Sequence, residues 1–199
     1  FSFFGTIKIG AVPIPTNPWM KASDYDYLLR DSRARVLIVH ESSLSEVEPI
    51  WDQSRYLKNV IVVGKPRGKA LSYDGLVSKA SSALEAQPTS KDDVVMWNYT
   101  SGSTGTPKGA VHLQHDMITI TDLFAKPILG MREDDLCFSA SKLFFSYGLG
   151  NSLYFPFRFG ASTVLWPERP EPEKVLQVIE RYRPTFFFSV PTLYARLLR

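Results

Sequence analysis

Between two apolar runs the chain reads Tyr99-Thr-Ser-Gly-Ser-Thr-Gly-Thr-Pro-Lys-Gly109. Residues 100–106 hold five hydroxyl side chains and two glycines, and Lys108 follows them. Glycines allow turns with positive φ, so that successive N–H groups can point at one anion, and hydroxyl groups add donors. Lys108 brings a mobile positive charge suited to the outer phosphates of a nucleotide. The pattern predicts a phosphate-binding loop. Its predicted contacts are Thr100, Ser101, Gly102, Ser103, Thr104, Gly105, Thr106 and Lys108.

Two other interpretations of this loop are weaker. A flexible Gly/Ser linker usually joins polar segments, whereas this loop lies between the apolar runs 94–97 and 110–111. A Walker A loop has lysine between glycine and Ser/Thr, whereas here Lys108 precedes Gly109. A nucleotide phosphate loop of another kind is therefore favoured.

The first half of the chain has the pattern of a parallel α/β unit. Two β-branched runs, Val36-Leu-Ile-Val39 and Val60-Ile-Val-Val63, predict strands, and residues 44–56 between them predict a helix. An earlier helix is predicted to open at Ser23-Asp-Tyr-Asp26, which has the spacing of a capping box, and to run to about Arg33.

From Val94 onward, predicted strands and helices continue to alternate. Strands are predicted at 94–97, 110–112, 135–140, 162–165 and 186–190, and helices at 116–126 and from Pro172. The expected fold class is α/β, with mixed sheets and flanking helices. We expect residues 1–88 to form a flanking layer, and residues 89–199 to hold the loop and a ligand-binding region.

Composition excludes several functions. The 23 basic and 20 acidic residues leave a net charge of +3 without a basic cluster, which gives no reason to expect nucleic-acid binding. No apolar run reaches the roughly 18 residues needed to cross a membrane. The single cysteine, Cys137, cannot form an internal disulfide, which fits a reducing compartment such as the cytoplasm.

A second informative stretch is Lys142-Leu-Phe-Phe-Ser-Tyr-Gly-Leu-Gly-Asn151, which follows a predicted strand. Ligands of parallel α/β folds bind where the strands end. Phe144, Phe145 and Tyr147 could wall a slot for a flat ring, and Gly148 would leave room for its close approach. On composition alone, these aromatic residues fit an ordinary hydrophobic core better.

The loop resembles the signature of a large enzyme superfamily. Residues 99–109 are similar to the phosphate loop of the adenylate-forming acyl- and aryl-CoA synthetases, luciferases and peptide-synthetase adenylation domains. Phe4-Gly-Thr-Ile-Lys-Ile-Gly-Ala-Val-Pro-Ile-Pro15 and Phe188-Ser-Val-Pro-Thr-Leu-Tyr194 resemble the same family, so the likeness runs along the whole chain. It implies that the loop binds the triphosphate of ATP while a carboxylate attacks the α-phosphate, giving an acyl-adenylate and pyrophosphate. A thiol, usually that of coenzyme A, would then take the acyl group.

Within that superfamily, residues 142–151 resemble benzoate-CoA and hydroxybenzoate-CoA ligases. The resemblance implies that Phe145, Ser146, Tyr147 and Gly148 contact a small aromatic carboxylic acid. Ser146 stands where we expect alanine in the benzoate-type members. Its hydroxyl could meet a polar ring substituent, or it could cap the following helix.

The resemblance also implies what the 199 residues lack. Both ends fall inside apparent secondary structure, so we expect an incomplete N-terminal domain. The family's catalytic lysine, its adenine and ribose contacts and its Mg²⁺ site are expected elsewhere, so we expect no acyl-CoA formation by this part alone. Gln114 stands where many members have histidine, and the neighbouring His112 and His115 have either a structural or a functional role.

Three functions therefore remain open. The first is an aryl-CoA ligase that uses ATP, Mg²⁺ and coenzyme A. The second is another acyl-CoA synthetase of the same superfamily, and the third is a non-catalytic nucleotide-binding module. The intact, hydroxyl-rich loop with Lys108 argues against the third.

Overall fold

The computed structural model describes residues 1–100 and 105–199, which separate into two units. One unit comprises Asn17–Glu85, and the other comprises Phe1–Thr16 together with Ala86–Arg199. Helix α1 (Ser2–Lys8) opens the chain and belongs to the second unit. The division of domains at residue 88 stays a prediction about the whole protein.

The unit of residues 17–85 is a parallel sheet with helices, as the strand–helix–strand pattern predicted. Its elements are α2 (Ala22–Ser32), β1 (Val36–His40), a 3₁₀ turn (Glu41–Ser43), α3 (Leu44–Trp51), β2 (Asn59–Val63), β3 (Leu71–Ser72) and α4 (Tyr73–Val77). The strands pair in parallel in the order β1-β2-β3. Alternate strand residues point to one face, where Leu37, Val39, Val60 and Val62 pack against α2 and α3.

Helix α2 begins differently from the sequence expectation. Lys21 occupies the N-cap position, and its backbone N–H donates to Asp24 Oδ2 at 3.0 Å. The predicted capping box is therefore wrong. Ser23 lies inside the helix, and Asp26 accepts a hydrogen bond from Arg30 Nε at 2.9 Å instead.

The larger unit contains the two stretches that the sequence singled out. Its further elements are β4 (Val94–Thr100), β5 (Lys108–Leu113), α5 (Asp116–Ile120), β6 (Leu136–Ser139), α6 (Ser146–Leu149), α7 (Phe155–Phe159), β7 (Ser162–Val164), α8 (Pro172–Tyr182), β8 (Phe186–Phe188) and α9 (Pro191–Leu197). Helix α5 continues as a π-helix over Thr121–Leu129, and a second π segment, Gly150–Tyr154, joins α6 to α7. A proline lies within or just after each π segment, at Pro127 and Pro156, which fits the loss of an N–H donor there.

Strands β7, β6 and β8 form a parallel sheet in that order, with β6 in the middle. Adjacent β6 residues face opposite sides. Cys137 packs with Ala125 and Phe155 on one face, whereas Phe138 packs with Val175 of α8 on the other. The sheet is thus covered on both faces, as expected of an α/β fold. The expected fold class is confirmed.

The carboxyl ends of the three strands meet at one edge of this sheet because the strands are parallel. Residues 140–145 leave β6 at that edge, and residues 165–171 and Ser189 follow β7 and β8 there. Within the ranges described, none of the helices has the length and apolar character needed to cross a bilayer.

Candidate functional site

The predicted phosphate loop connects the two strands of an antiparallel hairpin. Thr100, the last residue of β4, is the register partner of Lys108, the first residue of β5, and both are exposed. Lys108 thus belongs to the strand, which begins two residues earlier than the sequence indicated. The predicted contacts Ser101, Gly102, Ser103 and Thr104 lie outside the described residues.

Gly105 and Gly109 each have a structural reason to be glycine, and the two reasons differ. Gly105 has φ +85°, a conformation that residues with a Cβ rarely adopt, although no atom of the described residues lies within 4 Å of its Cβ direction. At Gly109, a Cβ would lie 3.2 Å from Trp97 and 3.4 Å from the ring of Tyr99. The β5 backbone therefore lies directly under two aromatic rings of β4.

The predicted acid-binding residues lie on the turn after β6 and on the start of α6. Phe145 occupies the N-cap position, and Ser146 is the first helical residue. The interpretation in which Ser146 caps the helix is therefore wrong. Phe145 and Tyr147 are 51% and 47% exposed, so both rings are available to a ligand.

Two contacts hold these aromatic residues. The rings of Phe144 and Phe145 have centroids 4.5 Å apart, and the Tyr147 hydroxyl donates to the carbonyl of Ser189 at 3.4 Å. Tyr147 therefore connects α6 with the segment that follows β8 at the same edge of the sheet.

Gly148 is buried against the turn that precedes it. A Cβ at this position would lie 2.2 Å from the carbonyl oxygen of Lys142 and 2.5 Å from that of Ser141. Backbone atoms cannot move aside as a flexible side chain does. Gly148 therefore has a packing reason to be glycine, in addition to its predicted contact with the acid.

Lys142 has a set of contacts that the sequence did not indicate. Its Nζ donates to the carbonyl oxygen of Trp166 at 2.6 Å and to that of Glu168, and it lies 5.2 Å from the centre of the Trp166 ring. Partial burial lowers the pKa of Lys142, and the nearby Glu168 carboxylate opposes that shift. These partners follow β7, more than twenty residues along the chain, so only the folded sheet brings them to Lys142.

His112 and His115 lie on either side of one carboxylate. Asp116 Oδ2 is 3.4 Å from His112 Nδ1, and Asp116 Oδ1 is 3.3 Å from His115 Nε2. Asp116 also accepts the backbone N–H of Leu113 at 2.9 Å, and His115 Nδ1 lies 2.9 Å from the Lys91 carbonyl oxygen. These contacts join the end of β5 to the start of α5, which favours the structural role for both histidines.

An open cavity of about 360 Å³ lies beside this cluster. Its lining residues are Met96, His112, Asp116, Met117, Thr119, Ile120, Leu123 and Tyr154. Among the described residues, none of those predicted to bind phosphate or acid lines it. Over the parts of the chain described, no group of three His, Cys, Asp or Glu side chains is placed to hold a metal ion.

Comparison with known proteins identifies the family. The model of the family "AMP-binding enzyme" matches residues 1–199. The chain belongs to this family. Its hairpin loop and the turn after β6 are therefore parts of an AMP-binding enzyme domain.

Two curated relatives of this AMP-binding enzyme domain both have benzoate–CoA ligase in their names. A benzoate–CoA ligase of Thauera aromatica is 46% identical over 197 residues, covering 99% of this chain and 37% of the relative. A 4-hydroxybenzoate–CoA/benzoate–CoA ligase of Rhodopseudomonas palustris is 39% identical, covering 98% of this chain and 36% of the relative. The chain thus spans little more than a third of the length of these relatives.

A solved structure agrees in fold. An anthranilate CoA ligase, AuaEII, crystallised with anthranoyl-AMP, superposes with a TM-score of 0.94 at 40% identity, covering 98% of this chain and 38% of that one. The resemblance to the adenylate-forming superfamily and to its aryl-CoA ligases is confirmed.

Proposed function

We propose that this chain carries the phosphate-binding and acid-binding parts of an ATP-dependent aryl-CoA ligase. The reaction joins benzoate or a hydroxybenzoate to ATP as an aryl-adenylate with release of pyrophosphate. The thiol of coenzyme A then attacks the carbonyl carbon of the adenylate and takes the aroyl group, with release of AMP. The observation that carries the proposal is the identity of 46% and 39% to a benzoate–CoA and a hydroxybenzoate/benzoate–CoA ligase along nearly the whole chain.

The hairpin supports the phosphate-binding role. Lys108 is exposed at the start of β5, and its register partner Thr100 is exposed at the end of β4. A full positive charge at this place stabilises the charge that develops on pyrophosphate as it leaves. Gly105, Thr106 and residues 101–104 complete the proposed cradle for the β- and γ-phosphates.

Magnesium enters the proposal only together with ATP. When bound to the phosphates, the ion neutralises part of their charge. The described residues offer no cluster of side chains to hold it, and we propose no protein ligand for it in this chain.

The turn after β6 supports the acid-binding role. The half-exposed rings of Phe145 and Tyr147 lie beside Ser146 at the carboxyl edge of a parallel sheet, where ligands of α/β folds bind. A flat, rigid ring fits between aromatic walls with little loss of entropy, whereas a long alkyl chain needs a tunnel. Gly148 keeps α6 close enough to the turn for these side chains to act together.

Anthranilate is a second candidate for the acid. The structure with anthranoyl-AMP is 40% identical to this chain, about as similar as the hydroxybenzoate relative. An amino or hydroxyl group on the ring would also give Ser146 a hydrogen-bond partner. We expect the enzyme to work in the cytoplasm, where ATP and coenzyme A are both available.

The test is acid-dependent pyrophosphate exchange by the full-length enzyme, followed by thioester detection with coenzyme A. Benzoate, 4-hydroxybenzoate, anthranilate and octanoate are compared by kcat/KM. We expect kcat/KM for each aromatic acid that is accepted to exceed that for octanoate by roughly tenfold or more, which is the discrimination that one well-formed pocket provides. A clear preference for octanoate overturns the aromatic assignment. Nucleotide binding without exchange for any acid would favour a non-catalytic module.

A further inference from the structure

We infer that Lys142 is a positioning residue for the aromatic acid: it fixes the turn of residues 141–145, and so the geometry of Phe145, Ser146 and Tyr147, without touching the acid. This inference rests on the proposed function, because it concerns the same acid-binding segment. Lys142 lies three residues before Phe145.

The side chain of Lys142 donates hydrogen bonds to the segment that follows β7. An ammonium group has three N–H donors and no acceptor. Two donors go to the carbonyl oxygens of Trp166 and Glu168, and the face of the Trp166 ring lies 5.2 Å away. The charge is therefore balanced by carbonyl dipoles and an aromatic face, an arrangement that anchors a backbone.

The backbone of Lys142 is committed to α6. Its carbonyl oxygen accepts the N–H of Phe145 at 3.0 Å and closes the turn. The same oxygen lies 2.2 Å from the Cβ position that Gly148 leaves empty. One residue thus links the helix that bears the acid-binding side chains to the segment that leads into α8.

The two acid-binding rings are themselves only partly packed. Phe145 and Tyr147 are about half exposed, and the Tyr147 hydroxyl reaches Ser189 only at 3.4 Å. Loss of the two hydrogen bonds from Lys142 therefore lets the turn shift relative to the sheet edge. A displacement on the order of 1 Å in a binding constellation can lower activity by roughly a hundredfold. The effect should fall on the acid and not on ATP, because Lys142 contacts neither strand of the phosphate hairpin among its described partners.

The experiment measures KM for the acid and KM for ATP in the full-length enzyme by pyrophosphate exchange. Lys142→Met removes the donors and keeps an unbranched apolar stem over Trp166. Lys142→Gln keeps one shorter donor. We expect Lys142→Met to raise KM for the acid by about tenfold or more, while KM for ATP changes less than about twofold. Lys142→Gln should show a smaller shift in the same direction, and it serves if the methionine variant does not fold.

The matched control is Lys174→Met. Lys174 forms an ion pair with Glu168 in the same segment, but it lies on α8 and does not belong to the turn. We expect both KM values of this variant to stay at the wild-type level. An unchanged ratio of the two KM values in either Lys142 variant, or an equal rise of both, overturns the inference.

The proposed function is tested separately by the wild-type enzyme. If it activates no aromatic acid but does activate another carboxylic acid, the proposed function fails. The Lys142 variants are then measured with the accepted acid, and the ratio of KM values still decides whether Lys142 positions the turn.

Discussion

The carbonyl oxygen of Lys142 lies where the side chain of any residue other than glycine at position 148 would begin. The 2.2 Å separation from the Cβ direction is far below a van der Waals contact, and the obstructing atoms belong to the backbone. The turn after β6 and the first helical turn of α6 therefore depend on each other for their position.

Gly148→Ala should destabilise the protein by roughly 3 kcal/mol, at the upper end of the range for overpacking, because the backbone of residues 141–142 would have to move. The measurement is equilibrium unfolding in urea. Gly5→Ala is the control, since nothing in the described part of the chain lies within 4 Å of its Cβ direction and it lies in helix α1, where alanine is favourable. Equal stability of the Gly148 variant and wild type would contradict the close packing.

Lys108→Ala should lower the rate of acid-dependent pyrophosphate exchange by roughly a hundredfold or more, the usual effect of removing one electrostatic stabiliser of a transition state. Binding of the acid should change little, because the charge acts on the phosphates. Lys79→Ala, which removes an exposed lysine of the other unit, is the control and should retain the wild-type rate. A Lys108 variant with undiminished exchange would remove the loop from the mechanism.

Ser146→Ala should shift the preference of the enzyme from 4-hydroxybenzoate toward benzoate by about two- to tenfold in kcat/KM, which corresponds to one hydrogen bond. The reason is that Ser146 is exposed at the first position of α6, between the two rings that the acid is proposed to contact. The comparison needs both acids with both enzymes. A ratio of kcat/KM values that stays constant would show that the hydroxyl faces away from the acid.

Cys137 should be unreactive toward alkylating reagents in the folded enzyme. Burial and, to a smaller extent, the nearby Asp135 carboxylate together raise the pKa of its thiol to about 11. Because the pKa of an acid is raised, the neutral thiol dominates at pH 8, with only about one thiolate in a thousand. Mass spectrometry of the Cys137 peptide after iodoacetamide treatment should show labelling only when denaturant is added. Rapid labelling of the native enzyme at pH 8 would contradict the burial.

Strands β1 and β2 could be predicted because the signal lies in their own residues. The runs at residues 36–39 and 60–63 are apolar and mostly β-branched, and in the structure they form β1 and β2 with alternate residues buried. The helix predicted at residues 44–56 ends at Trp51, since the chain turns there to reach β2.

Other features depend on atoms far apart in the sequence. Nothing in residues 142–151 indicates that Lys142 bonds to carbonyls of Trp166 and Glu168, because backbone carbonyls have no sequence signal. The predicted start of α2 was wrong because several neighbouring residues could serve as its cap. Serine is a common N-cap residue, so the sequence favours Ser23 as the cap. In the structure the helix begins two residues earlier, and the carboxylate of Asp24 accepts the backbone N–H of Lys21.

The pairing of Thr100 with Lys108 has a consequence for how tightly the nucleotide can be bound. An antiparallel ladder keeps the two ends of the connecting loop together whether or not ATP is present. The free-energy cost of closing a loop of this length, on the order of 2 kcal/mol, therefore falls on folding and not on ATP binding. Binding of ATP at the proposed site therefore does not have to bring Thr100 and Lys108 together.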